Sequence, residues 1–231
     1  MKRPFAVKLR WYELLGGLLW LCVYAFALGP MISPALRALG LPGDSLTRNK
    51  IYYLAGFGIT AALLWRFLRD SLQAAAREPG RLLRGAFFGW CLYAAAQVGM
   101  GILLDVFAPG LSTPNDRTVA DLAAESYPMM LAASVLLAPL TEETLLRGVL
   151  FGSLREKSRI AAYAVTALVF AGMHVIPYLS ETDPGTAVLC GALYVLPSAA
   201  LCAACELGGN IWAPVLTHAA INLIGMLALK G

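Results

Sequence analysis

Seven stretches of this chain, 11–30, 51–68, 84–104, 124–154, 159–178, 186–206 and 211–229, are mostly apolar. Each approaches or exceeds the roughly 20 apolar residues that a helix needs to cross the hydrocarbon of a bilayer. Hydrocarbon offers no water to a backbone amide, so such a stretch must satisfy its own polar groups as a helix. The short alternating segments of a membrane barrel are absent. Composition points the same way, with 59% hydrophobic and 14% charged residues, where a soluble domain carries about 25% charged. The expected fold class is all-α: a polytopic transmembrane helical bundle of about seven to eight helices around a membrane-embedded polar cavity. It forms a single integral membrane domain over 1–231. Gly, Pro, Asn and Asp mark the expected loops at 30–44, 109–116, 180–185 and 208–210. The stretch 68–83 reads either as an amphipathic helix on the membrane surface or as a solvated linker. No internal repeat is visible.

The net charge of +4 is small and unevenly spread. Bases gather at Lys2, Arg3, Lys8 and Arg10, again from Arg66 to Arg84, and again from Arg155 to Arg159, while acids prevail over 105–125 and 181–183. Alternate loops thus differ in sign. The positive-inside tendency places the N-terminus, the 69–84 loop and the 155–159 turn in the cytoplasm, although Arg37, Arg48 and Lys50 run against the pattern. These charges are a topology signal for a multi-pass protein of the cell's inner membrane, whose surroundings are the lipid bilayer, and no nucleic-acid partner is implied. The basic N-terminal arm and the apolar run after it superficially resemble a signal peptide, but more spans follow, and 11–30 is taken as the first helix. All five cysteines lie in apolar runs, which argues against a disulfide framework. Cys202 and Cys205 form a C-x-x-C without a second pair or a redox pattern around it.

A charge inside an apolar helix costs about 2.5–3.5 kcal/mol on insertion scales, so it needs a partner or a polar cavity. Leu140-Thr-Glu-Glu-Thr-Leu-Leu-Arg147 is therefore the most informative segment. At helical spacing Glu142 and Glu143 point to different sides, and Arg147, four residues after Glu143, returns to the face of Glu143. Glu143 can be neutralised locally. Glu142 is left without a cation of its own, as suits a carboxylate that takes a proton from water. A structural ion-pair cluster is the plain alternative.

The two histidines, His174 and His218, both fall inside predicted membrane helices. Phe170 lies four residues before His174 and Asn222 four residues after His218, so each pair shares one helix face. Glu142 and His174 lie at similar distances from the basic turn at 155–159, and antiparallel helices joined there carry them to similar depth. The level of His218 is less constrained. Glu13 and Glu206, at the edges of apolar runs, read as interfacial residues. Gly-x-Ser-x-Gly is absent, and Ser153, Ser158 and Ser198 have no nucleophile signature.

The ordered motifs Glu142-Glu143-x-x-x-Arg147, Phe170-x-x-x-His174 and His218-x-x-x-Asn222 resemble those of the CAAX protease and bacteriocin-processing (Abi) family, the Ras-converting-endopeptidase-like group. The resemblance covers about residues 124–226; the first hundred residues match nothing diagnostic. It implies an eight-helix-type intramembrane glutamate peptidase without a cofactor. In it Glu142 is the base, His174 assists the water, and His218 with Asn222 stabilises the oxyanion. Glu143, Arg147 and Phe170 support the site. The expected partner is a membrane-associated polypeptide, cleaved at a CAAX-type, leader or C-terminal-tail peptide bond, and loss of the Glu142 carboxylate is expected to abolish cleavage but not folding. Two alternatives use the same residues. One is a zinc metallopeptidase with Glu142, His174 and His218 as ligands. The other is a transporter or non-catalytic scaffold, although no inverted repeat or pair of broken helices is visible.

Overall fold

The computed structural model describes residues 5–230. Lys2 and Arg3 of the basic arm lie outside them. The described residues form seven helices: α1 (Trp11–Ala38), α2 (Ser45–Arg77), α3 (Pro79–Phe107), α4 (Pro114–Arg155), α5 (Arg159–Tyr178), α6 (Pro184–Gly208) and α7 (Trp212–Ala228). The first six are long and apolar enough to cross a membrane; α7 is apolar but shorter. Among the described residues there is no strand. The bundle is all-α and multi-pass, with seven helices where the family resemblance implied eight.

Local chemistry accounts for most helix starts. Pro79, Pro114 and Pro184 stand in first turns, where the missing N–H leaves no bond unmade. Asp44, Thr113, Ser158 and Asp183 each accept a backbone amide of the turn that follows, at 2.8–3.2 Å. The Thr47 amide and hydroxyl hold the Asp44 carboxyl below the usual carboxylate range. Its capping contribution is therefore present above the ordinary carboxylate pKa of about 3.9 and is lost only as pH falls through the lower folded value.

Two expectations need correction. The loop expected over 30–44 is mostly helix, because α1 runs on to Ala38 through Pro30 and Pro34. A π turn at Val23–Ala27 ends three residues before Pro30 and widens the winding where that proline has no N–H to return. The stretch 68–83 is helical on both sides of one break, after a kink of α2 at Leu64 (φ −117°, ψ 20°), so the linker reading falls. α2 continues to Arg77, and Glu78 alone leaves helical geometry (φ −128°, ψ 57°), as the residue ahead of Pro79 is disposed to do. α4 bends where Ser126 leaves the helical region two residues before Pro128, and it contains π turns at Ala133–Leu137 and Thr144–Phe151.

The core gathers Trp20, Tyr24, Leu64, Phe67, Leu145 and Phe170. Large apolar side chains such as Trp11, Phe107 and Ile160 point outward, as expected where lipid is the solvent. α3 crosses α6 at small residues: a Cβ on Gly85 would lie 2.4 Å from the Gly208 backbone nitrogen, and one on Gly89 2.4 Å from the Ala204 Cβ. Close approach of this kind is how helices associate when no hydrophobic drive separates them from lipid. Gly85→Ala is therefore expected to cost about 1–3 kcal/mol or more through overpacking, read as a lower melting temperature in detergent.

At one end of the bundle the basic segments meet. The Ala6 amide donates to the Gly209 carbonyl (3.0 Å), Arg66 donates to the Lys8 carbonyl (3.0 Å), and Lys8 pairs with Glu156. Glu13 accepts from Arg66, while Glu206 takes Arg155, Arg159 and the Tyr163 hydroxyl. Both acids are thus fixed in ion pairs at this end. The α6–α7 corner, Gly208 to Ile211, is buried beneath residues 5–10, so α7 begins inside the protein and not at its surface. All five cysteines are free thiols.

Candidate active site

A cavity of about 530 Å³ opens between α3, α4, α5, α6 and α7, and Glu142, Phe170, His174, His218 and Asn222 all line it. Glu143 and Arg147 lie behind its wall, fully buried. The seven residues singled out by sequence therefore converge, five on the cavity surface and two directly behind.

The paired glutamates separate as helix geometry requires. Glu143 accepts from Arg147 at 3.1 Å and faces His218 Nδ1 at 2.8 Å. Arg147 spends a second arm on Ser198, donating to its hydroxyl (2.8 Å) and its carbonyl (3.0 Å), and its guanidinium lies 5.1 Å from the centre of the Phe170 ring. This is a buried chain of Ser198, Arg147, Glu143 and His218. Because a carboxylate can only accept, His218 donates from Nδ1 and keeps Nε2 for the cavity. Glu142 is also buried, yet it makes no ion pair and its Oε2 has no hydrogen-bond partner in the protein.

His174 donates from Nδ1 to the Phe170 carbonyl at 2.8 Å, which leaves Nε2 of the neutral ring as an acceptor. Its imidazole stacks on Tyr194 with centroids 4.4 Å apart and planes at 25°. Tyr194 in turn shares a hydrogen bond with Thr113, the residue that caps α4, at 3.0 Å. Phe170 separates the two histidines, its ring 4.5 Å from His174 and 6.3 Å from His218.

Asn222 donates to the Ser134 carbonyl at 2.7 Å. That carbonyl is available for a specific reason. In the π turn of α4 the Ala138 amide bonds to Ala133, and the next residue, Pro139, has no N–H to offer. Asn222 satisfies the orphaned oxygen with one of its two hydrogens and keeps the other.

Sequence reasoning missed Tyr194, Ser198, Ser134 and Thr113. One signal was present: Tyr194 and Ser198 are four residues apart, two hydroxyls on one face of an otherwise apolar helix. Ser134 and Thr113 had none, because their roles follow from a π turn and a tertiary contact. The three side chains of the zinc alternative all line this cavity. Among the described residues, no three His, Cys, Asp or Glu side chains are placed to hold a metal ion.

Fold and site together define a multi-pass helical membrane protein whose buried cavity carries a carboxylate, two imidazoles and a carboxamide. The sequence model of the family described as Type II CAAX prenyl endopeptidase Rce1-like matches residues 124–224, the stretch that contains all seven of these residues. Over that stretch the chain is similar to the Rce1-like CAAX protease family. Comparisons with curated proteins and with solved structures give no match.

Proposed function

We propose that this protein is a membrane-embedded endopeptidase that hydrolyses a peptide bond of a membrane-associated polypeptide with water activated by Glu142. The observation that carries this reading is the contrast between the two glutamates. Glu143 lies behind the cavity wall, paired through Oε1 with Arg147 and His218, whereas Glu142 lines the cavity with no ion pair and no protein group on its Oε2. Peptide hydrolysis needs a base at the water and donors where negative charge develops on the carbonyl oxygen.

In this mechanism Glu142 takes a proton from water, assisted by the acceptor Nε2 of His174, and the oxygen attacks the scissile carbonyl. The developing oxyanion meets His218 Nε2–H and the free hydrogen of Asn222. Since Nδ1 of His218 already donates to Glu143, the ring that donates from Nε2 is an imidazolium, and the Glu143 carboxylate supports its charge. The proton held by Glu142 then passes to the leaving amine. Glu143, Arg147 and Ser198 position His218, while Tyr194 positions His174. The protein resides in the cell membrane with its basic end in the cytoplasm, supported by the gathering of Lys and Arg at that end.

The test is cleavage of a membrane-tethered polypeptide by purified wild type, Glu142→Ala and His218→Ala, each with and without a strong chelator. Loss in both variants with a chelator-resistant wild type supports the glutamate mechanism. Chelator-sensitive wild type restored by zinc makes the same residues metal ligands. Variants that cleave like wild type remove the site.

A further inference from the structure

A second cavity, of about 500 Å³, lies at the basic end of the bundle and shares no wall residue with the first. Ligand sites occupy roughly 300–1,000 Å³, so it is large enough to hold one. Its walls are apolar: Leu14 and Leu18 of α1, Phe67 of α2, Leu150 and Leu154 of α4, and Ile211 at the α6–α7 corner. At its inner end Arg147 and Phe67 are buried, and at its mouth Lys8, Glu156 and Lys157 are exposed.

Depth and charge identify the occupant. Trp11 and Tyr12 project outward in the first turn of α1, where such side chains mark the headgroup level of a bilayer. Leu14 and Leu18 then lie roughly 4–10 Å deeper, among acyl chains. The cavity thus runs from headgroup level into hydrocarbon, the profile of an amphiphile. At the mouth two lysines face one acid. Lys8 is paired with Glu156, and Lys157 has no acidic partner among the described residues. Arg10, at the same level, donates to the Tyr12 hydroxyl at 2.8 Å. Uncompensated cations at headgroup depth select a negatively charged lipid.

We propose that this second cavity takes one acyl chain of an anionic phospholipid, whose phosphate is held at the mouth by Lys157 and Lys8. The end of the chain reaches Arg147 and Gly148, on the side of Arg147 away from the cavity of Glu142. Arg147 is the residue that pairs with Glu143 beneath His218. Hydrocarbon at its back excludes water, and an ion pair in drier surroundings is stronger. The lipid is therefore a structural ligand that firms the buried chain from Ser198 to His218. Its binding does not draw on the peptidase reading, and either can fail without the other.

Two variants test it. Gly152 lines the cavity, and a Cβ there would meet the Arg147 carbonyl oxygen at an ordinary 3.5 Å, so Gly152→Phe fills the space with protein. Lys157→Glu reverses the charge at the mouth, on an exposed turn outside the helices. The full chain, delipidated in detergent, is titrated with phosphatidylglycerol or phosphatidylcholine and read by native mass spectrometry and thermal unfolding. Wild type is expected to retain one phosphatidylglycerol and to melt higher with it. Lys157→Glu is expected to weaken that retention about 10- to 30-fold, and Gly152→Phe to lose the one-lipid species. Equal retention of the two lipids overturns the inference, as does retention unchanged in Lys157→Glu. Several equivalent lipids lost together are annular lipid only, and the same rise in melting temperature with inorganic phosphate alone assigns the lysines to a free anion; both also overturn it. Should Gly152→Phe not fold, Lys157→Glu decides alone.

Discussion

Glu142→Gln is expected to raise the melting temperature of the purified protein while it removes hydrolysis. A largely buried carboxylate with no cation beside it is a destabilising feature, because its charge is left without a compensating partner. The amide keeps the shape and discards the charge. Loss of a general base lowers turnover by about 100- to 10,000-fold. The informative result is the opposite sign of the two changes, measured on one preparation. A structural glutamate lowers both stability and activity when replaced, and a variant that melts earlier than wild type sinks the assignment of Glu142 as the base.

The neighbouring glutamate behaves in the other way. Glu143→Leu leaves Arg147 and His218 buried without their shared partner, and breaking a buried pair from one side costs about 3–5 kcal/mol. Arg147→Met leaves Glu143 with His218 alone and takes the donor from the Ser198 hydroxyl. The double variant Glu143→Leu with Arg147→Met removes both charges and is expected to be more stable than either single variant, a non-additivity that a double-mutant cycle in thermal unfolding measures. Its activity stays low, because His218 has lost the carboxylate beneath it. Equal and additive losses would mean that the chain from Ser198 to His218 is not energetically connected.

The contrast between these two residues was legible in the sequence, since helical spacing alone sends Arg147 back to Glu143 and away from Glu142. The spans were legible for a similarly simple reason, because apolar runs without charge have one stable conformation in lipid. One error arose where a proline was read as a stop. Pro30 and Pro34 lie within a long helix, with a π turn ahead of Pro30 that leaves no mark in composition. The depth of His218 was open because it depends on the α6–α7 corner being sunk beneath residues 5–10. Tyr194 and Ser134 are tertiary in the same sense. Each is ordinary in its own helix and acquires a role only from what the next helix presents.

The π turn at Ala133–Leu137 carries a consequence for how this segment tolerates change in length. Such a turn holds one residue more than regular winding needs, and each residue of a helix accounts for about 100° of rotation. Removing one residue between 135 and 137 would let the chain wind normally, keep Glu142 at its angle to the segment before it, and still leave the Ser134 carbonyl facing Pro139, which has no N–H to give. An added residue finds no such slack and would turn Glu142 by about 100° away from the cavity. The segment tolerates shortening by one residue better than lengthening.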